Sequence, residues 1–153
     1  MDSDKINRWL TLGANIGVLI GIILLIAELN QSSIMMRGQT RHDVASELVG
    51  LQSQVANNPQ LADLIYRTRN GEALTPQEMV QYTSREIANF RYFEDVYYQY
   101  RQGLYEESEY SAQTAAWKKI WTQAKHDIWC DYRTTVSPGF RAEIDSLISN
   151  FSC

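Results

Sequence analysis

Two patterns of apolar positions divide the chain. From Leu10 to Leu29 they are continuous, LTLGANIGVLIGIILLIAEL. Beyond that run they return every three or four residues, the period of a half-buried helix. Twenty helical residues reach about 30 Å, the thickness of a bilayer's hydrocarbon core. The run therefore predicts a transmembrane helix over 10–29 after a short tail, 1–9, with 30–153 forming a soluble domain. Gly13, Gly17 and Gly21 recur every fourth residue and make one ridge without side chains. Such a ridge lets a second helix approach closely in lipid, so these three are the expected helix–helix interface.

The flanks refine that expectation. Trp9 suits the headgroup level, where an amphipathic ring is favoured. Asn15 lies off the glycine ridge, and Glu28 is within a turn of the far boundary, where it can snorkel. A cleaved signal peptide has an apolar stretch of only about 7–15 residues and a small-x-small site after it. Here the run is longer and Leu25 stands two before Ala27, so the anchor is expected to stay. Lys5 and Arg8 before the span balance Arg37 and Arg41 after it, and the positive-inside bias is a tie. Cys130 and Cys153 make a poor disulfide framework, although one bridge is open to them; this tilts the expectation towards a cytoplasmic domain.

The soluble part reads as all-α. Val44, Leu48, Leu51 and Val55 continue the anchor helix to about residue 57. Asn58-Pro59 opens a helix over about 59–69, carrying Leu61, Leu64 and Ile65, which Asn70-Gly71 ends. Thr75-Pro76-Gln77-Glu78 is a capping box opening a helix over about 76–102, stopped by Gly103. Tyr110, Trp117, Ile120, Trp121, Ala124 and Ile128 hold helical spacing, predicting one long helix over about 107–133. Ser137-Pro138 opens the last, about 138–150, with Phe140, Ile144, Leu147, Ile148 and Phe151 on its apolar face. No strand-like alternation appears. The expected fold is one N-terminal transmembrane helix followed by a small antiparallel bundle of four or five helices.

The segment FRYFEDVYYQY, residues 90–100, is the densest in aromatics. Phe90, Phe93, Tyr97, Tyr100 and Leu104 run down one face and are expected in the core. Tyr92 and Tyr98 fall off that line and are the expected protein interface, since a tyrosine presents a ring and a hydroxyl together. Arg91 and Asp95, four apart, read as a surface ion pair.

Composition narrows the chemistry mostly by exclusion. With 14 basic and 18 acidic residues and no polybasic cluster, nucleic acid is not an expected partner. No GxSxG, P-loop, dinucleotide fingerprint or HExxH occurs, and no nucleophile–base–orienter set can be named. The chain is read as not an enzyme, with no catalytic, metal or cofactor-binding residue. His42 and His126 are far apart and read as surface histidines rather than heme ligands. Cys130 and Cys153 lack a CxxC or Cys/His zinc spacing.

The span ending in LIAELNQSS, the QTR helix, NPQLADL, the F-x-x-F-E-x-x-Y-x-Q-Y segment and GLYEE together resemble a widespread family of uncharacterised bacterial single-span membrane proteins with a C-terminal helical domain. The resemblance covers most of the chain. It implies a protein of the bacterial inner (cytoplasmic) membrane and brings no site residues with it. The expected function is a non-catalytic accessory or scaffold subunit of a larger membrane complex. Its partners would be the lipid bilayer and another transmembrane helix, from a second copy or from that complex. The alternative is a membrane-anchored ligand-sensing module with a separate output partner.

Overall fold

The computed structural model describes residues 3–151 and 153 and is all-helical. Six α-helices follow in order: α1 Ser3–Ala56, α2 Pro59–Arg69, α3 Pro76–Arg101, α4 Glu107–Lys119, α5 Gln123–Tyr132 and α6 Pro138–Leu147, with a 3₁₀ turn at Arg133–Thr135 before α6. The chain divides into two compact units, one ending at Gln39 and one comprising Thr40–Cys153.

In the first unit, the apolar side chains of α1 stand uncovered: Leu10, Leu19, Ile23 and Leu29 are each at least 60% exposed. No residue of its most apolar window is buried. The core helix of a soluble protein is mostly buried; this stretch is a helix long and apolar enough to cross a membrane, with none of its residues buried.

The second unit is assembled around α3, which packs against α2, α4, α5 and α6. Local sequence sets its helix ends. Asn58 accepts from the Leu61 N–H at 3.1 Å and Pro59 occupies the first turn of α2. At the start of α3, Thr75 N–H donates to Glu78 Oε2 (2.8 Å) while Glu78 N–H donates to Thr75 Oγ1 (3.3 Å), closing the capping box. The same Glu78 accepts from Arg67 Nη1 at 2.7 Å, and Arg67 also donates to the Ala73 carbonyl, so one guanidinium ties α2 to the turn that follows it. Gly71 and Gly103 adopt φ of 77° and 71°, the left-handed stop that a side chain would disfavour.

The core is aromatic. Phe93 stacks on Trp117 with ring centroids 4.4 Å apart, and Trp129 meets Phe90 (5.2 Å) and Phe140 (5.8 Å) edge-on. Phe140, Ile144 and Ile148 bury the face of α6. Trp129 Nε1 donates to Asp145 on α6 at 3.0 Å, and Arg133 pairs with that same carboxylate.

Three expectations give way here. The long helix over 107–133 is two helices, broken at Ile120–Thr122. Ile120 caps the end of α4, and Thr122 turns extended and accepts from the Lys125 N–H at 3.2 Å. The hydrophobic period runs through the break because Trp117, Trp121 and Ile128 all face the core on both sides of it. Tyr92 is not a surface residue: it is 1% exposed and lies edge-on to Phe93 at 5.9 Å. A helix covered on several sides buries residues off its main apolar line, and Tyr92 belongs to that second face with Val96. Its partner in the expected interface, Tyr98, is exposed. Arg91 pairs with Glu94 at 2.6 Å rather than with Asp95. Glu94 in turn accepts from the Ser137 N–H at the start of α6, which orients it towards Arg91.

Candidate functional site

The three glycines of the expected helix–helix interface sit on α1, and the space a side chain would take at Gly13, Gly17 and Gly21 is open. Tyr92 is sealed in the core with its hydroxyl lacking a hydrogen bond of good geometry. Burial pushes this phenol up, and the neighbouring Tyr105 and Glu47 push it the same way. Tyr98 is exposed, so the two tyrosines do not converge on one surface.

Two buried polar clusters stand elsewhere in the bundle. The first joins α3 to α5. Glu86 is 1% exposed and Lys125 is 2% exposed, and Lys125 Nζ lies 2.9 Å from Glu86 Oε2. Asn89 Nδ2 donates to the same oxygen at 3.1 Å, and Arg85 Nη1 donates to Glu86 Oε1 at 2.6 Å. Burial by itself would raise the Glu86 carboxyl; the charges of Lys125 and Arg85 outweigh it and hold the carboxyl below the usual range. Burial pushes the Lys125 ammonium down, and Glu86 opposes that only in part. The rings of Phe93 and Trp121 flank the ammonium at 5.7 and 5.9 Å. Glu86 thus finds donors on both oxygens, and the arrangement is a packed ion pair between helices.

The second cluster differs in kind. His126 and Cys130 are four apart on α5 and so share one face of it. Cys153 comes to the same place from the end of the chain and is joined to Cys130 in a disulfide, with the two Cα atoms 5.5 Å apart. His126 Nε2 is 3.2 Å from Cys130 Sγ and 3.7 Å from Cys153 Sγ. The imidazole is 3% exposed, leans on the Phe151 ring at 5.0 Å, and its Nδ1 has no hydrogen-bond partner. A cavity of about 140 Å³ adjoins it, lined by His126, Arg133, Asp145, Ile148, Phe151 and Cys153.

These positions correct one expectation: His126 is buried, not a surface histidine. They also bring its Nε2 to 3.2 and 3.7 Å from the two cysteine sulfurs. Some signal existed. Glu86 and Asn89 fall on the line of Tyr82, Phe90 and Phe93; Lys125 lies one turn from both Trp121 and Trp129. Polar residues on an apolar stripe mark buried networks. His126 and Cys130 stand at the i,i+4 spacing of a helical ligand pair. The approach of Cys153 had no local signal. Comparison with family models, with curated proteins and with solved structures returned no match.

Proposed function

We propose that this chain is a single-pass protein of the bacterial inner membrane whose small helical bundle serves as a non-catalytic accessory or scaffold subunit of a larger membrane complex. One observation carries the reading: the apolar stretch of α1 is wholly unburied in its own chain. An exposed stretch this long and apolar would aggregate in water and is satisfied by lipid. The open glycine ridge supports a second transmembrane helix as the lipid-phase contact. The Glu86–Lys125 pair, with donors on both carboxylate oxygens, joins α3 to α5 and supports a bundle built as a docking scaffold. The paired cysteines remove the ground for a cytoplasmic domain, and the reading they support is a domain on the oxidising, periplasmic side.

The test has two arms. Membranes from cells expressing the full chain are washed with alkaline carbonate, and the intact mass of the retained protein is measured. Retention with the apolar stretch still attached is expected. Release into the wash, or a mass that begins after Leu29, overturns the anchor. The second arm replaces Gly17 by Ile and measures self-association and partner capture in a membrane two-hybrid assay. The added side chain blocks close approach, so the signal should fall severalfold. An unchanged signal in the single variant and in the triple Gly13, Gly17, Gly21→Ile variant overturns the lipid-phase contact.

A further inference from the structure

We propose that His126, Cys130 and Cys153 form a binding site for a soft divalent cation, zinc above all, that is closed by the disulfide and opened by its reduction. The three donor atoms already lie within 4.8 Å of one another. In a tetrahedral zinc site, Zn–S of about 2.3 Å and Zn–N of about 2.0 Å place sulfur and nitrogen about 3.5 Å apart and two sulfurs about 3.8 Å apart. His126 Nε2 stands at 3.2 and 3.7 Å from the two sulfurs, on either side of the first value. Only the sulfurs need to separate, and cutting the bond between them lets them do so by side-chain rotation.

The histidine points to the same conclusion independently. A disulfide sulfur is a weak acceptor, and it is all that Nε2 faces; Nδ1 has no partner. A fully buried imidazole is thus left almost without polar interactions, which is costly and rare in a core. A metal ion bound at Nε2 would use the nitrogen fully. Phe151 against the ring fixes its plane, and the adjoining cavity gives room for a water in the fourth position, the arrangement of an open Cys₂His site. Sulfur with imidazole selects zinc over magnesium or calcium, which take oxygen ligands.

The chemistry balances. A dithiol reductant gives two electrons and two protons to the Cys130–Cys153 bond, leaving two thiols and the oxidised, cyclic disulfide of the reductant. Zn²⁺ then displaces the two thiol protons, and both sulfurs bind as thiolates. Oxidation of the loaded site by a protein disulfide returns the intramolecular bond, with the two electrons passing to that oxidant, and releases the ion.

The experiment uses the full chain in detergent micelles. One sample is left oxidised; another is treated with dithiothreitol, desalted without oxygen, and checked for two free thiols. Each is titrated with Zn²⁺ against a chromophoric chelator and with Co²⁺, whose thiolate charge-transfer and ligand-field bands report sulfur ligation and tetrahedral geometry. The reduced protein should take up one ion with a thiolate band, and the oxidised protein none. Cys130→Ser and Cys153→Ser should each lose the thiolate-dependent uptake, and His126→Gln, checked for helicity by circular dichroism, should weaken it by at least about tenfold. Zinc should also raise the melting temperature of the reduced wild type and leave the oxidised protein unmoved. Reduced wild type that takes up no metal overturns the site. So does equal binding by the oxidised form, by either serine variant or by a folded His126→Gln protein.

Discussion

Lys125 and His126 are neighbours on α5, both almost fully buried, yet their surroundings are opposite. Lys125 faces Glu86, which also draws Asn89 and Arg85 and so finds donors for both carboxylate oxygens. His126 faces a disulfide with one nitrogen and no hydrogen-bond partner with the other. One step along a helix rotates a side chain by about 100°, enough to send it into a different interface. Lys125 enters the seam with α3; His126 enters the seam closed by the end of the chain. A buried carboxylate with donors on both oxygens serves the fold, whereas a buried imidazole without a strong hydrogen bond at either nitrogen is where a core departs from its own best packing, commonly for a function.

That contrast is sharpest when one member of the first cluster is removed. Lys125→Met leaves Glu86 charged and buried, with Arg85 still on one oxygen and the cation on the other gone, and should cost about 3–5 kcal/mol of stability. The double variant Glu86→Leu, Lys125→Met removes both charges and should recover a large part of that loss. Chemical denaturation of the three proteins checks it. A single variant as stable as wild type would mean that the two clusters do not differ in the way described.

Breaking the second cluster should cost less and by another route. Cys153→Ser opens a bridge spanning 23 residues of chain. The loss is about 3 kcal/mol, because the unfolded chain regains its freedom while the contacts of the folded core remain. Thermal melts of the variant and of the reduced wild type should agree. If both equal the oxidised protein, the bridge contributes nothing to the fold.

The smallest effect concerns acid. Arg67 and the Thr75 amide hold the Glu78 carboxyl down to about 2, and Glu94 and Glu86 also lie below the ordinary value of 4.5. For Glu94, burial is outweighed by the Ser137 amide and then by Arg91. In each case the unfolded chain binds the proton more readily than the folded one. Stability from these groups is therefore complete above about pH 4.5 and is lost as pH falls towards about 2. Melting temperatures taken across that window should decline, and Glu78→Gln should shallow the decline. A slope unchanged in that variant would show that the turn between α2 and α3 does not depend on the charge of Glu78.

The sequence alone determined what local rules govern: an apolar run of membrane-crossing length, an all-helical chain, and helix ends written in Asn58-Pro59, the Thr75–Glu78 box and Gly103. Those signals act within a turn of the residues that carry them, so they can be read without knowing the fold. Tertiary structure alone decided what depends on neighbours distant in sequence. Tyr92 is buried because α3 is covered on more than one face, and a periodic stripe reports only one. The stretch around Thr122 breaks because the core follows the turn, leaving the apolar period intact while the backbone changes course. Glu86 meets Lys125 across 39 positions, and Cys153 meets His126 across 27. A buried charge or a thiol looks the same in sequence as an exposed one, since its meaning lies in the partner that folding brings to it.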